Sequence, residues 1–386
     1  MGTSSQMTHL PCYQEHYGNC RLVPASKIYD LAWQCQNKYK VGKVICEAFR
    51  SDGTPIIAHP RTAAKRQIAK VDALGYKLYS AFEVEFCVFD AQSLKPIHEG
   101  KSYASELMLH KQSDWIFDVE QHLRKLYINV EAMHAEYGPG QFEFNMSPKC
   151  GIDVFDDMVL MKEAMKEIMS KYGVKPTFMT KPFPNNPGNG FHINHSLWDI
   201  NDKNVFFDAS KPFNISDTLR YWIGGILKHI NALTVLCNPT PNCFRRLNKD
   251  RTPSAADWSI DNRLTTLRLK NDNPSHTYVE NRLPSSACNP YIVAAATIAA
   301  GLDGIDNNIE PPEMGRRKED PQLPSFEESI NALKEDEALG KALGEEFVEW
   351  FIAMKQHEIV KLRATTVESQ LEDELEMERK EYFDLI

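Results

Sequence analysis

No run in this sequence is long and apolar enough to span a bilayer. Its longest stretch of small apolar residues, Tyr291 to Ala300, falls well short of the roughly 20 positions a membrane helix needs. The residues after Met1 lack the charged-then-apolar order of a secretory leader. Positive charge is not in excess either: 44 Lys and Arg face 53 Asp and Glu, a formal net charge of −9. That balance argues against nucleic acid or anionic membrane as a default partner. Nine cysteines, at 12, 20, 35, 46, 87, 150, 237, 243 and 288, include no CxxC pair and no dense framework. Several have apolar neighbours, which fits a reduced compartment rather than a disulfide scaffold. No internal repeat is present. The expectation is a cytoplasmic protein of one large or two modest domains, with neither a membrane nor a nucleic-acid partner.

What the sequence does contain is a scattered set of carboxylates. Glu83 and Glu85 lie in the alternating run Phe82-Glu83-Val84-Glu85-Phe86. A strand of that pattern puts both carboxylates on one face and Phe82, Val84 and Phe86 on the other. Glu136 and Glu143 flank Gly138-Pro139-Gly140, and Gln141-Phe142-Glu143-Phe144-Asn145 alternates again. With His192 and Glu280 they make six positions able to share one cavity. Carboxylates gathered with one imidazole suit hard divalent cations, Mg²⁺ or Mn²⁺.

Residues 1 to about 18 show no periodicity and read as loose. Lys43–Phe49 reads as a strand, and Pro60-Arg61-Thr62 opens a helix to about Leu74. Further helices are predicted at about 113–126, 155–172, 215–236, 290–302, 326–334 and 340–362, with a charged tail at 368–382 extending the last or fraying. Residues 307–324, rich in Pro, Glu and Arg, read as a surface linker.

In their order and contexts these motifs resemble the glutamine synthetase family. The matching stretches run from about residue 19 to about 357. They include Glu136-Tyr137-Gly138-Pro139-Gly140-Gln141, Phe178-Met179-Thr180-Lys181-Pro182, Gly190-Phe191-His192-Ile193-Asn194, Asn262-Arg263 and Glu280-Asn281-Arg282-Leu283-Pro284. Lys249-Asp250-Arg251 and Ser196-Leu197-Trp198-Asp199 look most like the lengsins, an animal branch named for a lens protein without synthetase activity. The resemblance implies an α+β fold: an antiparallel funnel-shaped sheet with outer helices over 61–386, preceded by a truncated β-grasp-like segment over 1–60. It implies two Mg²⁺ or Mn²⁺ ions, one held by Glu85, Glu136 and Glu143 and the other by Glu83, His192 and Glu280. Arg263 and Arg282 match catalytic arginines, Arg268 and Ser196 nucleotide contacts, and Arg246 and Gly188 glutamate contacts. A ring-type homo-oligomer such as a dodecamer is implied too.

Four departures run against catalysis. Arg251 falls where the family carries a flap glutamate that helps take a proton from ammonium. Two like charges about 4 Å apart, at an effective dielectric near 20, repel by roughly 4 kcal/mol. Asn194 replaces a phosphate-binding histidine, and alternation sends His195 to the opposite face. Ser275 and Tyr278 stand where basic residues would meet ATP, and the catalytic aspartate of the family's N-terminal domain has no counterpart. The leading expectation is therefore a lengsin-like oligomer with impaired ligase activity and a structural or chaperone role beside intermediate filaments or other cytoskeletal proteins. The alternative is an ATP- and Mg²⁺-dependent ligase forming a γ-glutamyl amide.

Overall fold

The computed structural model describes residues 19–34, 38–100, 102–184, 186–249, 251–315, 320–365 and 371–386. The loose reading of 1–18 and the identity of Asp250 in its loop lie outside them. Alternation along Tyr76–Asp90 builds the central strand of a nine-stranded sheet. Phe82, Val84 and Phe86 are fully buried on its inner face, against Phe155, Phe191, Phe142 and Phe144. The opposite face carries Glu83 and Glu85, as alternation requires.

Across the sheet the strands run Trp258–Ile260, Leu267–Asn271, Thr277–Asn281, Phe191–Asp199, Tyr76–Asp90, Gln141–Met146 and Val130–Ala135. Lys149–Cys150 and Val174–Thr177 pair with the two ends of the central strand. All pairings are antiparallel except Trp258–Ile260 with Leu267–Asn271, a short parallel pair that the antiparallel reading did not anticipate. Helices 153–169, 217–228 and 290–306 cover the apolar face; Gly225 and Gly304 let the last two approach so closely that a Cβ on either would meet backbone at 2.0–2.1 Å.

The structure corrects three predicted elements. Lys43–Phe49 is two short strands, Gly42–Lys43 and Cys46–Phe49, each pairing with its own partner near the N-terminus. The predicted helix 215–236 breaks at His229, whose ring is held by Asp303 and Asp336 from distant elements. The predicted helix 340–362 is Glu337–Leu343 and Glu345–Thr365, separated by Gly344 at φ +98°. The tail forms its own helix, Leu371–Tyr382, fastened by Arg245 to Glu374 and Glu378. No helix among the described residues is long and apolar enough to cross a membrane.

Candidate functional site

Sheet register assembles the site. His192 lies opposite Glu83, Glu85 opposite Glu143, and Asn194 opposite Glu280. Four adjacent strands thus set Glu280, Asn194, His192, Glu83, Glu85 and Glu143 on one face. Glu136 joins them just past Val130–Ala135, its backbone N–H donating to Gln141 O.

Two clusters of ligand atoms result. In the first, Glu83, His192 and Glu280 present oxygen and nitrogen atoms within 4.8 Å of one another. His192 Nδ1 is 3.2 Å from Glu83 Oε2 and 3.3 Å from Glu280 Oε1. Burial lowers the affinity of His192 for a proton, but hydrogen bonds to Glu280 and Glu83 outweigh it and raise its pKa to about 9. Burial would raise Glu280, yet the His192 hydrogen bond and the charges of Arg282 and Arg268 hold it down at about 2.

The second cluster is His134, Glu136 and Glu143. His134 is a residue that sequence reasoning missed. Its Nδ1 is 3.5 Å from Glu136 Oε1 and its Nε2 is 3.3 Å from Glu143 Oε1. The hydrogen bond to Glu143 raises His134 to about 9, while burial and the charges of Glu85 and Glu143 raise Glu136 to about 7. Glu85 stands between the clusters. Its Oε2 accepts from Gly190 N at 2.9 Å and Gln141 Nε2 at 3.1 Å, and burial together with Glu143 raises its pKa.

Three of the four predicted arginines reach the clusters. Arg246 is buried and donates to Leu283 O, Arg282 O and His192 Nε2. Arg268 binds Glu280 Oε2 at 2.9 Å and also Asp261, a partner the sequence did not suggest. Arg282 is 8% exposed, with Nε 3.2 Å from Glu280 Oε1 but out of hydrogen-bond alignment, and with Nη1 unpartnered. Arg263 is exposed on the turn after Trp258–Ile260 and is not brought to the clusters. Gly188 has φ +103°, and a Cβ there would meet the Arg246 side chain at 3.2–3.4 Å. At Gly190 a Cβ would lie 2.9 Å from His192 Nε2, 3.0 Å from Arg246 Nη2 and 3.1 Å from Glu85 Oε1.

The departures are placed as well. Asn194 Nδ2 donates to Glu83 Oε1 at 2.9 Å, and its Oδ1 is buried without a partner. His195 faces the other way and accepts from Trp222 Nε1, as alternation predicts. Ser196, on the site face, accepts from the Trp198 indole. Ser275 is exposed in the turn Pro274–His276, whereas Tyr278 shares a face with Glu280, its phenol raised by burial and by Glu83 and Glu280. Arg251 sits over the Tyr137 ring at 5.4 Å.

The family described as glutamine synthetase, catalytic domain, matches residues 57–373. Glutamine synthetase of Thermotoga maritima is 35% identical over 331 residues, covering 81% of this chain and 75% of that protein. Human lengsin is 32% identical over 332 residues, covering 83% of this chain and 65% of its own length. A Pseudomonas glutamate–isopropylamine ligase is 30% identical over 367 residues, covering 89% and 78%. Among solved structures, a GmaS–ADP complex superposes with a TM-score of 0.82 at 26% identity, covering 94% of this chain and 85% of that one.

Proposed function

The chain belongs to the glutamine synthetase catalytic-domain family, and from that premise we propose that its site is that of an ATP- and Mg²⁺- or Mn²⁺-dependent ligase joining the glutamate γ-carboxyl to an amine. The observation that carries this reading is the row of register-placed carboxylates, with His134 and His192 seated among them. Oxygen donors with an occasional imidazole fit hard divalent cations. Glu83, His192 and Glu280 would hold one ion; Glu136 and Glu143, with Glu85 beside them, would hold the other. Such ions neutralise charge on transferring phosphate oxygens when bound.

The protein's own cations complete the arrangement. Arg282, buried with an unpartnered Nη1, suits an anionic oxygen, and a guanidinium binds carboxylate or phosphate in a fixed fork. Arg246, pressed against Gly188, suits the carboxylate end of glutamate. In the reaction a γ-carboxylate oxygen attacks the terminal phosphorus of ATP and ADP leaves. The amine nitrogen then attacks the acyl carbon, the carbon–oxygen bond to phosphate breaks, and the amine's surplus proton leaves with the released phosphate.

Ammonium is a poor partner in this reading, because Arg251 falls where the family carries a flap glutamate, and its guanidinium lies over the ring of Tyr137, the residue after Glu136. That placement, with Asn194 bound to Glu83, also supports a second reading: a lengsin-like oligomer with impaired catalysis and a structural or chaperone role near cytoskeletal filaments. Family members are oligomeric, and a ring-type homo-oligomer is proposed for either reading. Hydroxylamine separates them. With ATP, Mg²⁺ and glutamate, an active site yields γ-glutamyl hydroxamate; its absence, with Mn²⁺ still binding by calorimetry, leaves the structural role.

A further inference from the structure

His134 closes the second carboxylate cluster. Pairing of Val130–Ala135 with Gln141–Met146 sets it directly opposite Glu143, and the period of two along its own segment turns it to the same side as Glu136. One ligand atom from each of the three residues lies within 4.8 Å of the others. Two atoms each about 2.1 Å from one ion, at the roughly 90–109° of octahedral or tetrahedral coordination, lie about 3.0–3.4 Å apart. The 3.3 Å between His134 Nε2 and Glu143 Oε1 falls in that range. So do the 3.2 Å and 3.3 Å from His192 Nδ1 to Glu83 and Glu280 in the first cluster.

Groups around the cluster orient its members. His134 Nδ1 lies 3.4 Å from Ala135 O. With the ring hydrogen on Nδ1, the lone pair on Nε2 is left on the side of Glu143 Oε1. Tyr103 meets the imidazole edge-on at 5.9 Å and is itself stacked on Tyr137 at 4.3 Å. Tyr137 N donates to Glu136 Oε2 at 3.1 Å, and Asn145 Nδ2 donates to Glu143 Oε1 at 2.9 Å. An imidazole that donates through one nitrogen to a carbonyl and offers the other to a cation is the common setting of a histidine ligand, and hydrogen-bonded carboxylates beside it are equally common.

Resting on the ligase reading above, we propose that His134 Nε2 is a third ligand of the ion held by Glu136 and Glu143, and that it biases this position toward a first-row transition cation over Mg²⁺. Both ion positions then have one donor set, an imidazole with two carboxylates, on either side of Glu85. Mg²⁺ takes oxygen donors and gives up its waters reluctantly. An imidazole adds more for Mn²⁺, and more again for Co²⁺. A histidine that serves only as a hydrogen-bond partner of Glu143 gives no such preference, because its loss frees the carboxylate for either ion equally.

The test uses the full chain with metal alone. Pulsed electron paramagnetic resonance of bound Mn²⁺, on protein with natural and ¹⁵N-labelled histidine, detects ring nitrogens bonded to the ion. The coupling should persist in His192→Ala and vanish when His134→Ala is added to it. Calorimetry on His134→Ala alone should show one Mn²⁺ ion weakened by about 10-fold or more, with Mg²⁺ weakened less. His134→Gln, which offers an oxygen instead, should keep Mg²⁺ binding without the preference for Mn²⁺. Unchanged Mn²⁺ affinity and preference in His134→Ala overturn the proposal and leave the ligase reading standing. So does loss of all nitrogen coupling in His192→Ala with Mn²⁺ still bound. If the parent forms no hydroxamate, the ligase reading falls, while nitrogen coupling that persists in His192→Ala still supports His134 as a ligand. A parent that binds no Mn²⁺ overturns both.

Discussion

Replacing Glu85 or Glu280 by glutamine removes one charge from the same site, yet the two changes should move metal-free stability in opposite directions. Glu280 is 3% exposed and faces three cations: Arg268 Nη1 at 2.9 Å, Arg282 Nε at 3.2 Å and His192 Nδ1 at 3.3 Å. Its folded pKa is depressed to about 2, so its stabilisation is present above the ordinary carboxyl range and is lost only as pH falls toward 2. Breaking such a buried set by removing one partner costs about 3–5 kcal/mol. Glu85 faces Glu143 across the strand pair, and its pKa is raised, chiefly by burial and then by Glu143. A carboxyl raised in the fold destabilises it at pH above its unfolded value. Cross-strand groups about 5 Å apart at an effective dielectric near 20 repel by about 3 kcal/mol, an upper bound on the share of the gain from Glu85→Gln that comes from Glu143. The glutamine oxygen can still accept from Gly190. Metal reverses the comparison for Glu85: a cation at 100 times its dissociation constant stabilises the parent by about 2.7 kcal/mol, and Glu85→Gln should lose most of that. Calorimetric melting at pH 7.5, with chelator and with Mn²⁺, reads all four quantities. Equal destabilisation of both variants in chelator, or a full Mn²⁺ shift in Glu85→Gln, would refute the reasoning.

Gly190→Ala should lower hydroxamate formation by about 10- to 100-fold with an unchanged circular dichroism spectrum, because its Cβ would press on His192, Arg246 and Glu85 at 2.9–3.1 Å; activity within twofold of the parent would contradict this. Arg61→Met removes from Asp156 the Arg61 Nε bond of 2.8 Å and leaves it, among the described residues, the Tyr291 hydroxyl; urea melts should show a loss of about 3–5 kcal/mol. His229, between Asp336 Oδ2 at 2.6 Å and Asp303 Oδ2 at 2.9 Å, is opposed by burial, but these partners raise its pKa. The stability it contributes is complete below about pH 6.5 and is lost as pH rises through the raised value; His229→Asn should flatten that alkaline decline in urea melts taken from pH 5 to 10.

The parts of the site legible in the sequence are those fixed by strand alternation. Glu83 and Glu85 share a face, His195 turns away from His192, and Phe82, Val84 and Phe86 are buried, each following from period two alone. His134 was missed although it stands two residues before Glu136, the same period-two spacing that joins Glu83 to Glu85. Only the pairing of Val130–Ala135 with Gln141–Met146 sets it opposite Glu143, and that register depends on the intervening turn. The break at His229 was hidden for the same reason: its partners Asp303 and Asp336 lie far along the chain and override a continuous helical pattern. Arg268 was legible as a site cation, but its second partner Asp261 arrives from a turn with φ +46°. For Arg251 the sequence supplied the sign of the charge and the structure its setting. Its guanidinium lies over the ring of Tyr137, the residue that follows Glu136, a placement that no periodicity in the sequence encodes.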